Sequence, residues 1–240
     1  MCCASNRPVG AATASPSEAL RRVAMRQTWR RLTFLHWPYA PDLIRGFIPG
    51  GFELDTFDNA AWLGLVPFEI HDFRGIPHFP ETNLRTYVIG PDGSRAVWFF
   101  SLEAARWVAV LGARIGYHLP YFWAKMRVIV ENGAIHYRSQ RRWPHNPSAM
   151  TDIVVLPGEP YKSEELSEHD RFLMARYRLY SVAPGRLKHA QIEHPPWPLA
   201  RASVMSLRET LFEASGLPAP RETPIAHYSE ELTVAIGFPE

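Results

Sequence analysis

The sequence predicts a mainly β protein with inserted helices (α+β), built as an antiparallel barrel or sandwich, and three observations carry that reading. Segments with period-two patterning number about ten, against three or four helical ones. Turn signals join most of them as hairpins: Asp58-Asn59, Pro91-Asp92-Gly93-Ser94, Asn132-Gly133 and Pro184-Gly185. Twenty-two prolines and eight tryptophans in 240 residues suit many short, punctuated segments better than a helical bundle.

The elements follow in order. Residues 1–24, rich in Ala, Ser and Pro, read as a disordered N-terminal tail, and residues 25–240 as one domain without repeat or linker. Trp29 to Trp37 alternates imperfectly and reads as a strand stopped by Pro38 and Pro41. Pro41 to Phe47 reads as a short helix, then Phe52 to Phe57 and Ala60 to Ile70 as a hairpin. The second of these strands is apolar on both faces until Glu69, which places it centrally. Phe79 to Gly90 and Ala96 to Leu102 form the next hairpin, and Glu103 to Ile115 reads as a helix ended by Gly116. Tyr121 to Val130, Ile135 to Arg142 and Thr151 to Leu156 read as strands. Glu164 to Arg176 reads as a helix capped by Ser163. Two strands, Tyr177 to Val182 and Lys188 to Glu193, precede a helix over Leu199 to Ala214 and short strands at Ile225 to Tyr228 and Leu232 to Ile236.

Composition excludes several classes. Lys and Arg total 26 against 24 Asp and Glu, with no concentrated basic tract, so no nucleic-acid partner is expected. No window is apolar for long enough to span a membrane, and no signal-peptide core precedes the domain, so a cytoplasmic protein without a membrane partner is expected. The two cysteines, Cys2 and Cys3, stand outside the domain and cannot staple it. No glycine-rich phosphate loop and no G-x-S-x-G elbow is present, and the ten histidines show no paired helical spacing; no cofactor and no metal are read.

The chemistry concentrates on Phe79 to Gly90. Strand alternation puts Glu81, Asn83, Arg85 and Tyr87 on one face, about 7 Å apart, and Thr82, Leu84, Thr86 and Val88 on the other. This row either faces water on an ordinary half-buried strand or forms a polar wall inside a barrel or cleft. In the second case Arg85 grips a carboxylate, and Glu81 positions Arg85 or acts as acid and base. Tyr121, Trp123, Lys125 and Arg127 share a face of a later strand. Of the three lysines, Lys162 and Lys188 lie in segments that read as exposed, which leaves Lys125 as the amine nucleophile, with Arg127 as the cation that lowers its pKa. His36, inside an aromatic strand, reads as a hydrogen-bonded core histidine.

Several motifs occur in order: L-T-F-L-H-W from Leu32, I-P-G-G-F-E-L-D-T-F-D-N-A-A-W-L-G-L-V-P-F from Ile48, F-P-E-T-N-L-R-T-Y-V from Phe79, V-W-F-F-S-L-E-A-A from Val97 and Y-H-L-P-Y from Tyr117. From Arg26 onward the chain resembles the YqjF-like family of bacterial proteins, a domain of unknown function (2071) in the acetoacetate decarboxylase-like superfamily. The resemblance implies an antiparallel acetoacetate decarboxylase-like β-barrel with a central cavity. It also implies a cavity glutamate at Glu81, after an aromatic-x-Glu pattern. Acetoacetate decarboxylase uses a Schiff-base lysine beside a second lysine in G-F-P-K-K. Here H-L-P-Y-F from His118 puts Tyr121 and Phe122 in those places.

The expectation is a cavity that binds a small, carboxylate-bearing metabolite, lined by Glu81, Asn83, Arg85, Tyr121 and Lys125. Lyase or decarboxylase-type chemistry on a keto acid at Lys125 is one outcome, and a non-catalytic binding or sensing module is the alternative. A homo-oligomer stays open. A purely structural role, with the polar row paired internally, is the third reading.

Overall fold

A central arc of strands buried on both faces organises the computed structural model, which describes residue 20 and residues 22–73, 75–144, 146 and 148–240. Most of the tail expected at residues 1–24 lies outside these residues, although Val23 and Ala24 already belong to the first strand. The elements are β1 (Val23–Tyr39), α1 (Pro41–Arg45), β2 (Glu53–Leu54), β3 (Thr56–Phe57), β4 (Ala60–His71), β5 (Phe79–Ile89), β6 (Arg95–Ala104) and α2 (Trp107–Gly116). They continue with β7 (Tyr121–Glu131), β8 (Ala134–Trp143), β9 (Met150–Pro160), α3 (Glu168–Met174), β10 (Arg178–Ala183), β11 (Arg186–Glu193), β12 (Ala200–Glu209), α4 (Leu211–Ala214) and β13 (Ile225–Gly237).

The predicted hairpins form where the turn residues tolerate a left-handed backbone. Asp58 and Asn59 (φ 50° and 60°) join β3 to β4, and Asn132 and Gly133 (φ 51° and 79°) join β7 to β8. Pairings run β6-β7-β8-β9-β12-β13-β1-β4-β5, and β5 pairs back to β6, so nine strands close a circuit. β6 also pairs with β10, β10 with β11 and β11 with β13, which closes a second circuit of seven strands through β13-β1-β4-β5-β6. The two circuits share these five strands, which is why β4 and β5 are buried along almost their whole length on both faces. Most pairings are antiparallel. β6–β7 and β6–β10 are parallel, and α2 is the crossover that joins β6 to β7.

The nine-strand circuit encloses a packed core that includes Leu35, Trp37, Leu63, Leu84, Tyr137 and Val155, closed at one end by Phe212 of α4. The opposite faces of the shared strands carry Phe34, Phe68, Phe79 and Tyr87, packed against Phe172 of α3. The imperfect alternation of β1 has a cause. A bulge between Arg30 and Leu35, with Arg31 at φ 51°, shifts the register by one, so Trp29 and Phe34 sit on one side despite opposite parity.

Five expectations change, the first being that the short strands expected at Ile225 to Tyr228 and Leu232 to Ile236 are one strand, β13. Glu103 opens no helix; it ends β6, buried, with Arg141 Nε donating at 3.1 Å, and α2 starts at Trp107. The single helix expected over Glu164 to Arg176 is a 3-10 turn at Ser163–Glu165 followed by α3, whose N-cap is Ser167, because Ser167 and Asp170 form a capping box. The helix expected over Leu199 to Ala214 is β12 followed by one turn of helix. A bulge at Met205 breaks the alternation between Val204 and Ser206, and helix-favouring Ala, Leu and Arg concealed the strand. The strand expected over Phe52 to Phe57 splits at Asp55, whose carboxylate turns away to Arg95 (2.9 Å) and Arg176.

Candidate functional site

A cavity of about 520 Å³ is lined by residues from all seven strands of the second circuit. The wall is apolar over most of its area, through Trp29, Ile70, Phe99, Leu102, Leu179 and Ile192. α2 covers one side with Val108, Ala109, Gly112, Ala113 and Gly116. The crossover therefore does two jobs: it brings β7 parallel to β6, and it roofs the cavity between them.

Three polar side chains meet at this wall. Glu81 and Asn83 project from β5 and Tyr121 from the first residue of β7. The row on β5 is buried, with 3% of Glu81, 4% of Asn83 and 9% of Arg85 exposed, so it is not the solvent face of a half-buried strand. The phenol of Tyr121 donates to the Glu81 carboxyl, 3.1 Å from each oxygen. Among the described residues no cation pairs with Glu81, and no lysine, arginine or histidine lines the cavity. Burial without a counter-charge pushes the Glu81 carboxyl from the usual 4.5 up to about 8, against the smaller opposing effect of the Tyr121 bond. Glu81 is therefore a neutral carboxylic acid at pH 7, able to donate a hydrogen bond. Burial, and then the Glu81 charge, raise the Tyr121 phenol well above its ordinary range. The carbonyl oxygen of Asn83 is buried and has no partner. Gln27, the other amide of the wall, is engaged: it accepts from Trp29 Nε1 at 2.7 Å.

Arg85 continues the row one place beyond Asn83 and is not part of the cavity wall. Its guanidinium lies 5.7 Å from the Phe34 ring and 5.8 Å from the Tyr87 ring. Its Nε has no partner, and among the described residues no carboxylate lies within ion-pair distance of it. Tyr87, the last of the row, bonds through its hydroxyl to His36 Nε2 at 2.7 Å. His36 is thus a hydrogen-bonded core histidine, as its aromatic strand suggested. Burial, helped by the Arg85 charge, holds its imidazole well below the ordinary range.

Lys125 does not join this group. Of β7, Tyr121 lines the cavity, whereas Trp123, Lys125 and Arg127, on the same strand face, are exposed. Lys125 is exposed and outside the cavity wall. Lys188, expected to be exposed, is the buried lysine: its Nζ donates to the Gly116 carbonyl, 3.4 Å away, at the C-terminal end of α2. Among the described residues no group of three or more His, Cys, Asp or Glu is placed to hold a metal ion.

Sequence reading missed the supports around the row. His227 Nε2 lies 2.9 Å from Asp170, and Arg176 lies 4.3 Å above the Tyr87 ring with Asp55 as its counter-charge. These partners lie far apart in the chain, and no local spacing announces them.

A family model described as "Uncharacterized conserved protein" (DUF2071) matches residues 26–233. "Uncharacterized protein YqjF" of Bacillus subtilis (strain 168) is 36% identical over 218 residues, covering 88% of this chain and 89% of that one. An acetoacetate decarboxylase from Legionella pneumophila has the same fold at a TM-score of 0.63 and 15% identity, over 95% of this chain and 88% of its own. The enduracididine biosynthesis enzyme MppR, solved with HEPES buffer bound, superposes at 0.64 with 13% identity, over 93% and 90%. Its complex with pyruvate superposes at 0.60 with 13% identity, over 93% and 92%.

Proposed function

The chain belongs to the DUF2071 family, and from that premise we propose that it is a small-molecule binding protein whose ligand occupies the cavity under α2. In this reading the seven-strand circuit is the wall of a barrel and the cavity is its binding site. The ligand has an apolar body and a carbonyl or hydroxyl end. The carrying observation is the buried Glu81 carboxyl, tied to Tyr121 beside Asn83 and with no cation paired to it among the described residues, in a mostly apolar wall. A neutral acid donates to a carbonyl oxygen, and the free Asn83 oxygen accepts from a hydroxyl or amide.

The same geometry favours binding over Schiff-base catalysis. Tyr121 holds the place of the decarboxylase lysine, a phenol forms no imine, and among the described residues no lysine lines the cavity wall. A second reading rests on Arg85. A buried guanidinium without an anion is costly, so a ligand carboxylate reaching past Asn83 gains an unpaired partner there.

Thermal-shift and calorimetric screening with small ketones, aldehydes, alcohols and keto acids tests both readings. A binder that raises Tm, and whose affinity falls about tenfold in Glu81→Gln or Tyr121→Phe, supports the site. Binding that neither substitution changes overturns it. Loss in Arg85→Met of the keto acids alone separates the carboxylate reading from the neutral one.

A further inference from the structure

The outer face of α2 is apolar where a soluble helix is ordinarily polar. Trp107, Leu111 and Ile115 are 59%, 46% and 67% exposed, and Val108 stands beside them on the same arc of the helix. The arc continues onto the sheet. Arg114 donates from Nη1 to the Tyr121 carbonyl (2.7 Å), and its guanidinium lies 5.1 Å from the ring of Trp143, itself half exposed. Trp123, paired with Trp143 across β7 and β8, extends the patch.

The stretch that carries this patch is rich in cations: residues 104–151 hold seven (Arg106, Arg114, Lys125, Arg127, Arg138, Arg141 and Arg142) and one acid, Glu131, with Arg138 paired to Asp152 and Arg141 to Glu103. Arg106, Lys125, Arg127 and Arg142 are exposed, and none makes an ion pair among the described residues.

We propose that this face docks on an anionic lipid surface, with Trp107, Val108, Leu111 and Ile115 entering the headgroup layer and the surrounding cations meeting lipid phosphates. Charge complementarity selects this occupant. A second copy of the chain in a two-fold contact brings the same cations against each other. A single-stranded nucleic acid stacks its bases on aromatic faces, whereas Arg114 lies over one face of Trp143 and the arc of Val108, Leu111 and Ile115 on α2 is aliphatic and gains nothing from a polyanion. A peripheral contact needs no membrane-crossing segment, and none of the helices among the described residues is long and apolar enough to be one. The same helix roofs the cavity, so docking brings the cavity roof to the lipid boundary. The proposal stands independently of what the cavity holds.

Vesicle co-sedimentation tests it, with phosphatidylcholine alone and with phosphatidylcholine containing a quarter phosphatidylglycerol. The full chain is expected to bind the anionic vesicles at least tenfold more tightly than the neutral ones, with binding weakened by salt. Leu111→Ser with Ile115→Ser is expected to abolish binding. Each reversal at Arg106, Lys125 or Arg142 to Glu is expected to weaken it about fivefold or more. All five positions are exposed, and circular dichroism checks that the variants stay folded. Absence of the folded protein from both vesicle types overturns the proposal, as does equal binding of the serine variant. Light scattering that shows a dimer broken by the serine substitutions, or retention of the protein on single-stranded RNA in place of vesicles, overturns it in favour of the other occupant.

Discussion

The two circuits of this fold share five strands and end in opposite states: one is filled, the other open. The difference is written into alternate residues of β5. Leu84 points into the packed core with Leu35, Trp37 and Tyr137, whereas Glu81 and Asn83 point into the cavity. The nine-strand circuit closes around large side chains, with Phe212 of α4 packed at its end. The seven-strand circuit borders the cavity, under a helix whose cavity-lining positions include Gly112, Ala113 and Gly116. A sheet buried on both faces can therefore place stability on one face and binding on the other.

Breaking the filled side has the largest effect. Trp37 is fully buried, packs edge-on to Phe212 at 5.4 Å and donates from its indole nitrogen to the Glu222 carbonyl at 2.8 Å. Trp37→Ala is expected to cost about 3–5 kcal/mol in denaturant unfolding, with no compensating repacking. The contact between the two faces comes next. A Cβ at Gly64 would lie 2.9 Å from His36 Nε2, the atom bonded to Tyr87, so Gly64→Ala is expected to cost about 1–3 kcal/mol. Arg85→Met sharpens the comparison by its sign. Replacing an unpaired buried charge with an apolar chain is expected to leave Tm unchanged or higher. A large loss of stability there would place Arg85 among the structural groups. The smallest effect belongs to the roof. A Cβ on Gly112 meets nothing within 4 Å, so Gly112→Ala is expected to stabilise α2 by about 0.5–1 kcal/mol while narrowing the cavity.

Much of this arrangement was legible in the sequence because it is local. Turn chemistry placed the hairpins, continuous apolarity placed β4 at the centre, and alternation put Glu81 and Asn83 on one face with Arg85 and Tyr87. The aromatic-x-Glu and H-L-P-Y-F motifs marked the two residues that meet across β5 and β7. What was lost is non-local. Alternation gives the face of Lys125 but not where α2 stops covering that face, and the strand leaves its shelter after Tyr121. Lys188 reads as a polar strand residue until β11 is placed beside the end of α2. β12 was hidden by irregular register, with shifts at Ala200/Ala202 and Val204/Ser206, and the double circuit depends on pairings between strands far apart in the chain.

The account turns on an uncharged acid in the open half, and the carboxyl of Glu81 can be watched directly. A ¹³C-detected NMR titration of the labelled side chain is expected to show it protonated at pH 7, titrating near pH 8, and shifted further upward in Tyr121→Phe. Because the folded state holds this proton above the usual 4.5, stability from Glu81 falls as pH rises from about 4.5 to about 8; Glu81→Gln removes that part of the slope. A Glu81 resonance that titrates near 4.5 would contradict the account, because a charged carboxylate there requires water or a cation beside it.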